Sequence, residues 1–154
     1  GEAIVQSGGR IDKFIGDGIM ALFTDGSGVE ENSKNALLAA GKLAEGIKEL
    51  STETSSDFGS DLKFGIGIHA GTSVVGAMGY GENITDTAIG DCVNVASRLE
   101  QLTKEEECQL IITSDLYQRS GLSLKVSYEK NVTVKGKSEA FKISAFKDAS
   151  TIQI

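Results

Sequence analysis

The segment Leu62 to Gly71, LKFGIGIHAG, constrains the fold most tightly. Phe64, Ile66 and Ile68 recur at every second position, with Gly65 and Gly67 between them. A period of two puts successive side chains on opposite faces, so the segment is predicted to be a strand with one apolar face and one bare face. A bare glycine face lets another backbone or a ligand come close. Ser73 to Met78 is predicted as a second strand, with Gly71-Thr72 as the hairpin between the two; Gly76 and Gly79 extend the bare surface.

The remaining chain supplies partners for that strand. Residues 1–7, GEAIVQS, read as the end of a helix closed by Gly8-Gly9, as if the chain began in mid-domain. In RIDKFIGDGIMALF, Ile11 to Phe14 and Ile19 to Phe23 are short apolar strands, and Gly16-Asp17-Gly18 is the hairpin turn between them. Asp17 is either turn chemistry or a metal ligand held at a rigid tip, with Lys13 on the neighbouring strand. From Glu30 to Leu50, the residues Leu37, Ala40, Leu43 or Ala44, Ile47 and Leu50 make a helical stripe. Residues 51–61 read as a polar loop. His69, the single histidine, stands at a strand end without a cysteine or carboxylate at ligand spacing, which assigns it to structure and argues against histidine-based catalysis.

After the loop Tyr80 to Asp86 comes TAIGDCVNVASRLE, residues 87–100. Here a small-residue turn is predicted to feed a helix with Asp91 at its N-cap or just inside it, and Val93, Ala96 and Leu99 as the buried stripe. Asn94 and Arg98 lie four apart on one face of that helix. An ordinary helix would simply turn such a pair to water. Leu110 to Ser114 is a buried strand, SDLYQR a brief helix capped by Ser114 or Asp115, and residues 122–128 and 141–146 alternate as strands. Between those strands, VKGK (Val134 to Lys137) is the densest basic turn in an acidic chain, and residues 148–154 read as a tail. Strands and helices in this order predict an α+β domain, with two helices on one face of a mainly antiparallel sheet.

Composition limits the function classes. The 154 residues fit one domain, and there is no apolar run long enough to span a membrane. A net charge of −7 disfavours general nucleic-acid binding, although a polyphosphate can still bind at a locally basic pocket or through a metal. Cys92 and Cys108, far apart and without a CxxC motif, read as reduced thiols in a cytosolic setting.

Three blocks in order, GGRIDKFIGDGIMALF, FGIGIHAGTSVVGAMG and TDTAIGDCVNVASRLEQLTK, followed by VKGK, resemble the catalytic domain of class III nucleotidyl cyclases across nearly the whole chain. The resemblance implies a ferredoxin-like core and a head-to-tail homodimer holding ATP or GTP between subunits. It also implies two Mg²⁺ or Mn²⁺ ions and attack of the ribose 3′-hydroxyl on the α-phosphorus. By the same resemblance Asp17 is a metal ligand, Lys13 and Thr87 read the purine, Asn94 orients the ribose, Arg98 meets the α-phosphate, and Lys135 holds the terminal phosphates. Lys13, where a guanylyl cyclase would carry glutamate, favours ATP, and Thr87 resembles a threonine-bearing subset. The family's first strand and first metal aspartate would precede the GGRIDK block, so this chain is expected to lack them and to be poorly active by itself. Sensor domains of such enzymes usually lie elsewhere in the parent protein. The alternative expectation is a non-catalytic, cyclase-like module that binds nucleotide or dimerises.

Overall fold

The structure, a computed structural model, describes residues 1–25, 27–58, 62–133 and 140–153. Helix α1 (Glu2–Gln6) ends at Ser7 and turns at Gly8, whose φ of 79° suits glycine. Strands β1 (Arg10–Ile15) and β2 (Gly18–Leu22) form the predicted antiparallel hairpin, with Gly16 at φ 61° beside Asp17 in the turn. Helix α2 runs from Val29 to Phe58, beyond the predicted end at Leu50. The stretch read as a polar loop has no glycine before Gly59 and the chain has no proline, so nothing stops the helix earlier.

Strand β3 (Ile66–Ile68) does not pair with the strand that follows it. Strand β4 (Val74–Tyr80) instead forms an antiparallel hairpin with β5 (Asn83–Ile89), turned at Gly81 with φ 61°. The hairpin predicted at Gly71-Thr72 is therefore absent, and residues 80–86, read as a loop, are the end of one strand, a turn and the start of the next. The pairing explains the difference: β3 runs parallel to β6 (Leu110–Thr113), and parallel neighbours need a long crossover. The β4–β5 hairpin and helix α3 (Asp91–Glu105) make that crossover.

Helix α4 (Ser114–Arg119) follows β6, and β7 (Tyr128–Val132) and β8 (Phe141–Phe146) complete a sheet of order β3-β6-β8-β7, antiparallel except for β3–β6. The cap of α4 is Thr113, without a side-chain bond, rather than Ser114 or Asp115. Residues 122–127 alternate in sequence yet are not a strand. The Tyr117 hydroxyl accepts from the Leu124 N–H at 2.9 Å and donates to its carbonyl at 3.1 Å, so a side chain occupies the backbone groups a neighbouring strand would need.

The α+β class holds, with a sheet that is mainly antiparallel, but the two long helices do not share a face. Leu110 and Ile112 join Leu37, Ala40 and Ala44 of α2 in one core cluster, whereas Ile111 joins Val95 and Leu99 of α3 in another. Alternate residues of a strand point to opposite faces, so α2 and α3 sandwich β6. That accounts for the apolar run LII and the Thr113 that follows it, buried along the whole strand. The residues after Lys147 also pack. Asp148 accepts from the Ser150 N–H to start a 3₁₀ turn (Ala149–Thr151), and Ala149 and Ile152 are buried against α2 rather than trailing as a tail.

The bare face of β3 is filled by backbone. A Cβ at Gly67 would overlap the Ala96 carbonyl oxygen and the Glu100 amide nitrogen of α3, and one at Gly65 would overlap Thr103 Oγ1. We predict that Gly67→Ala destabilises the fold by about 2 kcal/mol or more. Gly46→Ala, on the exposed side of α2 with open space around it, should stabilise by about 0.5–1 kcal/mol. Urea melts of the two variants check both signs.

Candidate functional site

Strand β1 carries the first site residues, and its register is irregular where it matters. Ile11 pairs with Ala21 and Lys13 with Met20, leaving Asp12 as an extra residue in a β-bulge. In a regular strand Asp12 and Lys13 would point to opposite faces; a bulge re-aims a side chain. Here the Asp12 side chain is fully buried, while Lys13 Nζ lies 3.6 Å from Asp12 Oδ2. On the other side Arg10 Nη1 lies 3.7 Å from Asp12 Oδ1.

Strand β5 supplies the partner. Thr87 is buried and donates its hydroxyl proton to Asp12 Oδ2 at 2.5 Å. Arg10 also lies 3.8 Å from Asp86, so β1 and β5 are tied at two consecutive positions. Thr87 pairs with Gly76 across the hairpin, and a Cβ at Gly76 would meet nothing within 4 Å. Directly opposed residues share a face, so the space beside Thr87 is open on the Gly76 side.

Three residues after Thr87 the strand becomes α3 through Gly90, at φ 145° and in contact range of Ser73. Gly90 is the N-cap and makes no side-chain bond; Asp91 is the first helical residue, where its carboxylate faces the positive end of the helix. The buried face of α3 is Val95, Leu99 and Thr103, one residue round from the predicted Val93, Ala96 and Leu99 stripe. The difference arises because Ala96 and Glu100 present backbone, not side chains, to the glycines of β3. Asn94 is exposed and Arg98 half-buried, one turn apart, each beside a residue of the buried face.

The structure thus joins Lys13 and Thr87 through one carboxylate oxygen and puts Asn94 and Arg98 on the helix that Thr87 leads into. Asp17 stands exposed at the β1–β2 turn. Lys135 lies outside the described residues. Asp12, Arg10 and Asp86 were not legible as site residues: an acid beside a lysine in an apolar strand was the only signal, and its partner is 75 positions away.

Other candidate groups are structural. His69 Nδ1 lies 3.1 Å from Thr113 Oγ1 and ties the end of β3 to β6, in keeping with its structural reading. The Cys92 thiol donates to the His69 carbonyl at 3.7 Å, and burial, reinforced by Asp91, pushes its pKa up; burial likewise raises that of Cys108. Among the described residues no three His, Cys, Asp or Glu side chains gather as a metal cluster. Asp17 is nevertheless a hard oxygen donor on a turn pinned by Gly16. Mg²⁺ commonly takes one or two carboxylates and completes its shell with phosphate oxygens and water, and Asp17 fits that donor set.

Residues 7–146 match the family model described as the adenylate and guanylate cyclase catalytic domain. The chain belongs to that family. It is 43% identical over 151 residues to an adenylate cyclase of Anabaena cylindrica, covering 93% of this chain and 29% of that protein. It is 40% identical to the terminal-differentiation-specific adenylate cyclase of Dictyostelium discoideum, covering 92% of this chain and 7% of that protein. The chain therefore spans less than a third of the length of either relative. Among solved structures, the adenylyl cyclase CyaB from P. aeruginosa superposes with a TM-score of 0.83 at 27% identity, covering 94% of this chain and 74% of that one. A crystallised guanylyl cyclase superposes at 0.81 and 26% identity, covering 94% of this chain and 72% of that one. In this cyclase domain Cys108 is buried and Cys92 partly buried. Their raised pKa values predict slow alkylation by iodoacetamide near neutral pH, with the rate climbing only above the ordinary thiol range, as mass spectrometry over a pH series would measure.

Proposed function

We propose that this cyclase domain is an adenylyl cyclase of the threonine-bearing subset, converting ATP to 3′,5′-cyclic AMP and pyrophosphate at a head-to-tail homodimer interface. The observation that carries the reading is the pairing of Lys13 and Thr87 on one Asp12 oxygen, a donor and a hydroxyl side by side. The Lys13 ammonium donates to adenine N1, an acceptor, whereas guanine N1–H would face it donor to donor. Thr87 accepts from the adenine 6-amino group. The share of identity with two adenylate cyclases also supports ATP.

The chain's own residues do the positioning that phosphoryl transfer chiefly demands. Asn94 orients the ribose so that its 3′-oxygen lies in line with the α-phosphorus. The Arg98 fork neutralises charge that grows on the α-phosphate as the new bond forms and pyrophosphate leaves. Lys135 holds the terminal phosphates, a role resting on the resemblance alone. Asp17 would hold a divalent ion, Mg²⁺ or Mn²⁺, whose chemistry is to neutralise the triphosphate and polarise the attacking and leaving oxygens. The half-site geometry has Asp17 of one subunit serving the nucleotide bound by Asn94 and Arg98 of the other.

Apolar side chains left in water support the dimer. Phe14 (70% exposed) and Ile15 lie on the β1–β2 hairpin, and Val74, Tyr80 (93% exposed) and Ile89 share one face of the β4–β5 hairpin. Such an apolar surface calls for cover. A cytoplasmic setting and a regulatory domain elsewhere in the parent protein complete the proposal; no described helix is long and apolar enough to cross a membrane.

Incubating the chain, and an N-terminally extended form that supplies a second metal aspartate, with ATP or GTP and Mg²⁺ or Mn²⁺, then separating products by chromatography, tests the reading. Cyclic AMP should form in preference to cyclic GMP. Asn94→Ala and Arg98→Ala should each cut kcat roughly a hundredfold or more, and Asp17→Ala should remove metal dependence along with activity. An ATP analogue that binds while an N-terminally extended form makes no cyclic product from ATP would instead identify a regulatory, nucleotide-binding module.

A further inference from the structure

Asp12 is the one fully buried carboxylate at the purine-reading end of the site, and the roles above leave it unused. Its Oδ2 accepts the Thr87 hydroxyl proton at 2.5 Å and lies 3.6 Å from Lys13 Nζ. Its Oδ1 is buried with no hydrogen-bond partner, the nearest cation being Arg10 at 3.7 Å. The two cations stand beyond hydrogen-bond distance, so among the described residues Thr87 alone makes a close side-chain bond to this carboxylate. The bulge at Asp12 is what turns the carboxylate toward β5 while its neighbour Lys13 stays at the same oxygen.

The geometry points to Asp12 as a positioning residue that sets purine specificity by fixing which way the Thr87 hydroxyl presents itself to the nucleotide. This rests on the reading of Lys13 and Thr87 as the purine-contacting pair. A threonine hydroxyl has one proton and two lone pairs, and by itself rotates to suit whatever it meets. An ionised carboxylate accepts only, so it takes the single Thr87 proton. The lone pairs then face away from Asp12, and the hydroxyl can only accept from a ligand. On the side where Gly76 leaves open space, a flat base can approach.

The consequence separates the two purines at position 6. Adenine offers an amino group there, a donor, and guanine a carbonyl, an acceptor. With its proton committed to Asp12, Thr87 rewards the amino group and meets the carbonyl lone pair to lone pair, leaving two acceptors unpaired in a closed site. Without Asp12 the hydroxyl would rotate and donate to guanine as readily as it accepts from adenine. A threonine at position 87 would then discriminate little; the carboxylate behind it makes the threonine selective.

The test is the ratio of kcat/KM for ATP to that for GTP, measured on the N-terminally extended form with the two nucleotides in competition. Asp12→Asn should lower the ratio roughly tenfold or more, because the amide can donate to Thr87 and release its proton toward the base. Thr87→Val, of the same shape without the hydroxyl, should lower it by a similar factor. The double variant should lose no more than Thr87→Val alone, since Asp12 acts through that hydroxyl. A purely structural Asp12 would depress both substrates alike and leave the ratio unmoved, and that result overturns the proposal. So does an unchanged ratio in Thr87→Val, or losses that multiply in the double variant. If circular dichroism shows that Asp12→Asn does not fold, Asp12→Leu, similar in shape and unable to accept, takes its place with the same expectation. A parent chain that prefers GTP would overturn the reading of the pair itself, and the parent ratio distinguishes that failure from failure of the Asp12 role alone.

Discussion

The close approach of α3 to β3 is the contact on which the rest of the molecule depends. Gly65 and Gly67 have no Cβ, and the backbone of Ala96 and Glu100 and the Thr103 side chain occupy the space. Packing this tight positions the helix by steric exclusion, which is stiffer than any single hydrogen bond. It also decides the helix rotation. With Ala96 and Glu100 against the strand, Val95 and Leu99 go into the core with Ile111 and Ile143, and Asn94 and Arg98 are left along the border. The polar face proposed to act on the ribose and α-phosphate is thus held by contacts on the far side of the same helix.

The second constraint is the tie between β1 and β5. These strands belong to separate hairpins and share no ladder. What joins them is a cluster around one buried carboxylate: Asp12 with buried Thr87 and the more exposed Arg10 and Lys13, and Arg10 again with Asp86 at the surface. A carboxylate without exposed surface is costly unless it is paired, and its partners here are the residues proposed to read the base. The electrostatic requirement of folding and the specificity requirement of the site are met by the same atoms. The local device that permits this is one extra residue in β1.

Much of the fold was legible because it is written in local periodicity. The 16–18 hairpin, the Leu37, Ala40 and Ala44 part of the α2 stripe, β8 and the alternation around Ile66 follow from side-chain spacing and glycine placement, whereas Leu50, read as the end of that stripe, is exposed. The failures have a common origin in pairing between distant segments. Nothing in Gly71-Thr72 distinguishes a hairpin from the start of a crossover until β6, 42 positions after Ile68, is known to lie beside β3. Leu122, Leu124 and Val126 alternate like a strand and are partly buried like one, yet Tyr117 takes the backbone bonds of Leu124, and the Leu122 N–H donates to Ser120 Oγ. The residues proposed for the site were likewise found from motif resemblance, Asn94 and Arg98 from their four-residue spacing within it, while Asp12 escaped notice.

The sequence by itself determined the α+β class, the family membership that the three motif blocks carry, and the identity of the groups available for nucleotide chemistry, because these depend on short-range pattern and on residue type. Tertiary structure alone decided that α2 and α3 lie on opposite faces of β6, and that the buried stripe of α3 is Val95 and Leu99. It also decided that Thr87 gives its proton to Asp12. Each of these depends on which backbone comes within van der Waals or hydrogen-bond reach of another across tens of residues, a relation that no local spacing encodes.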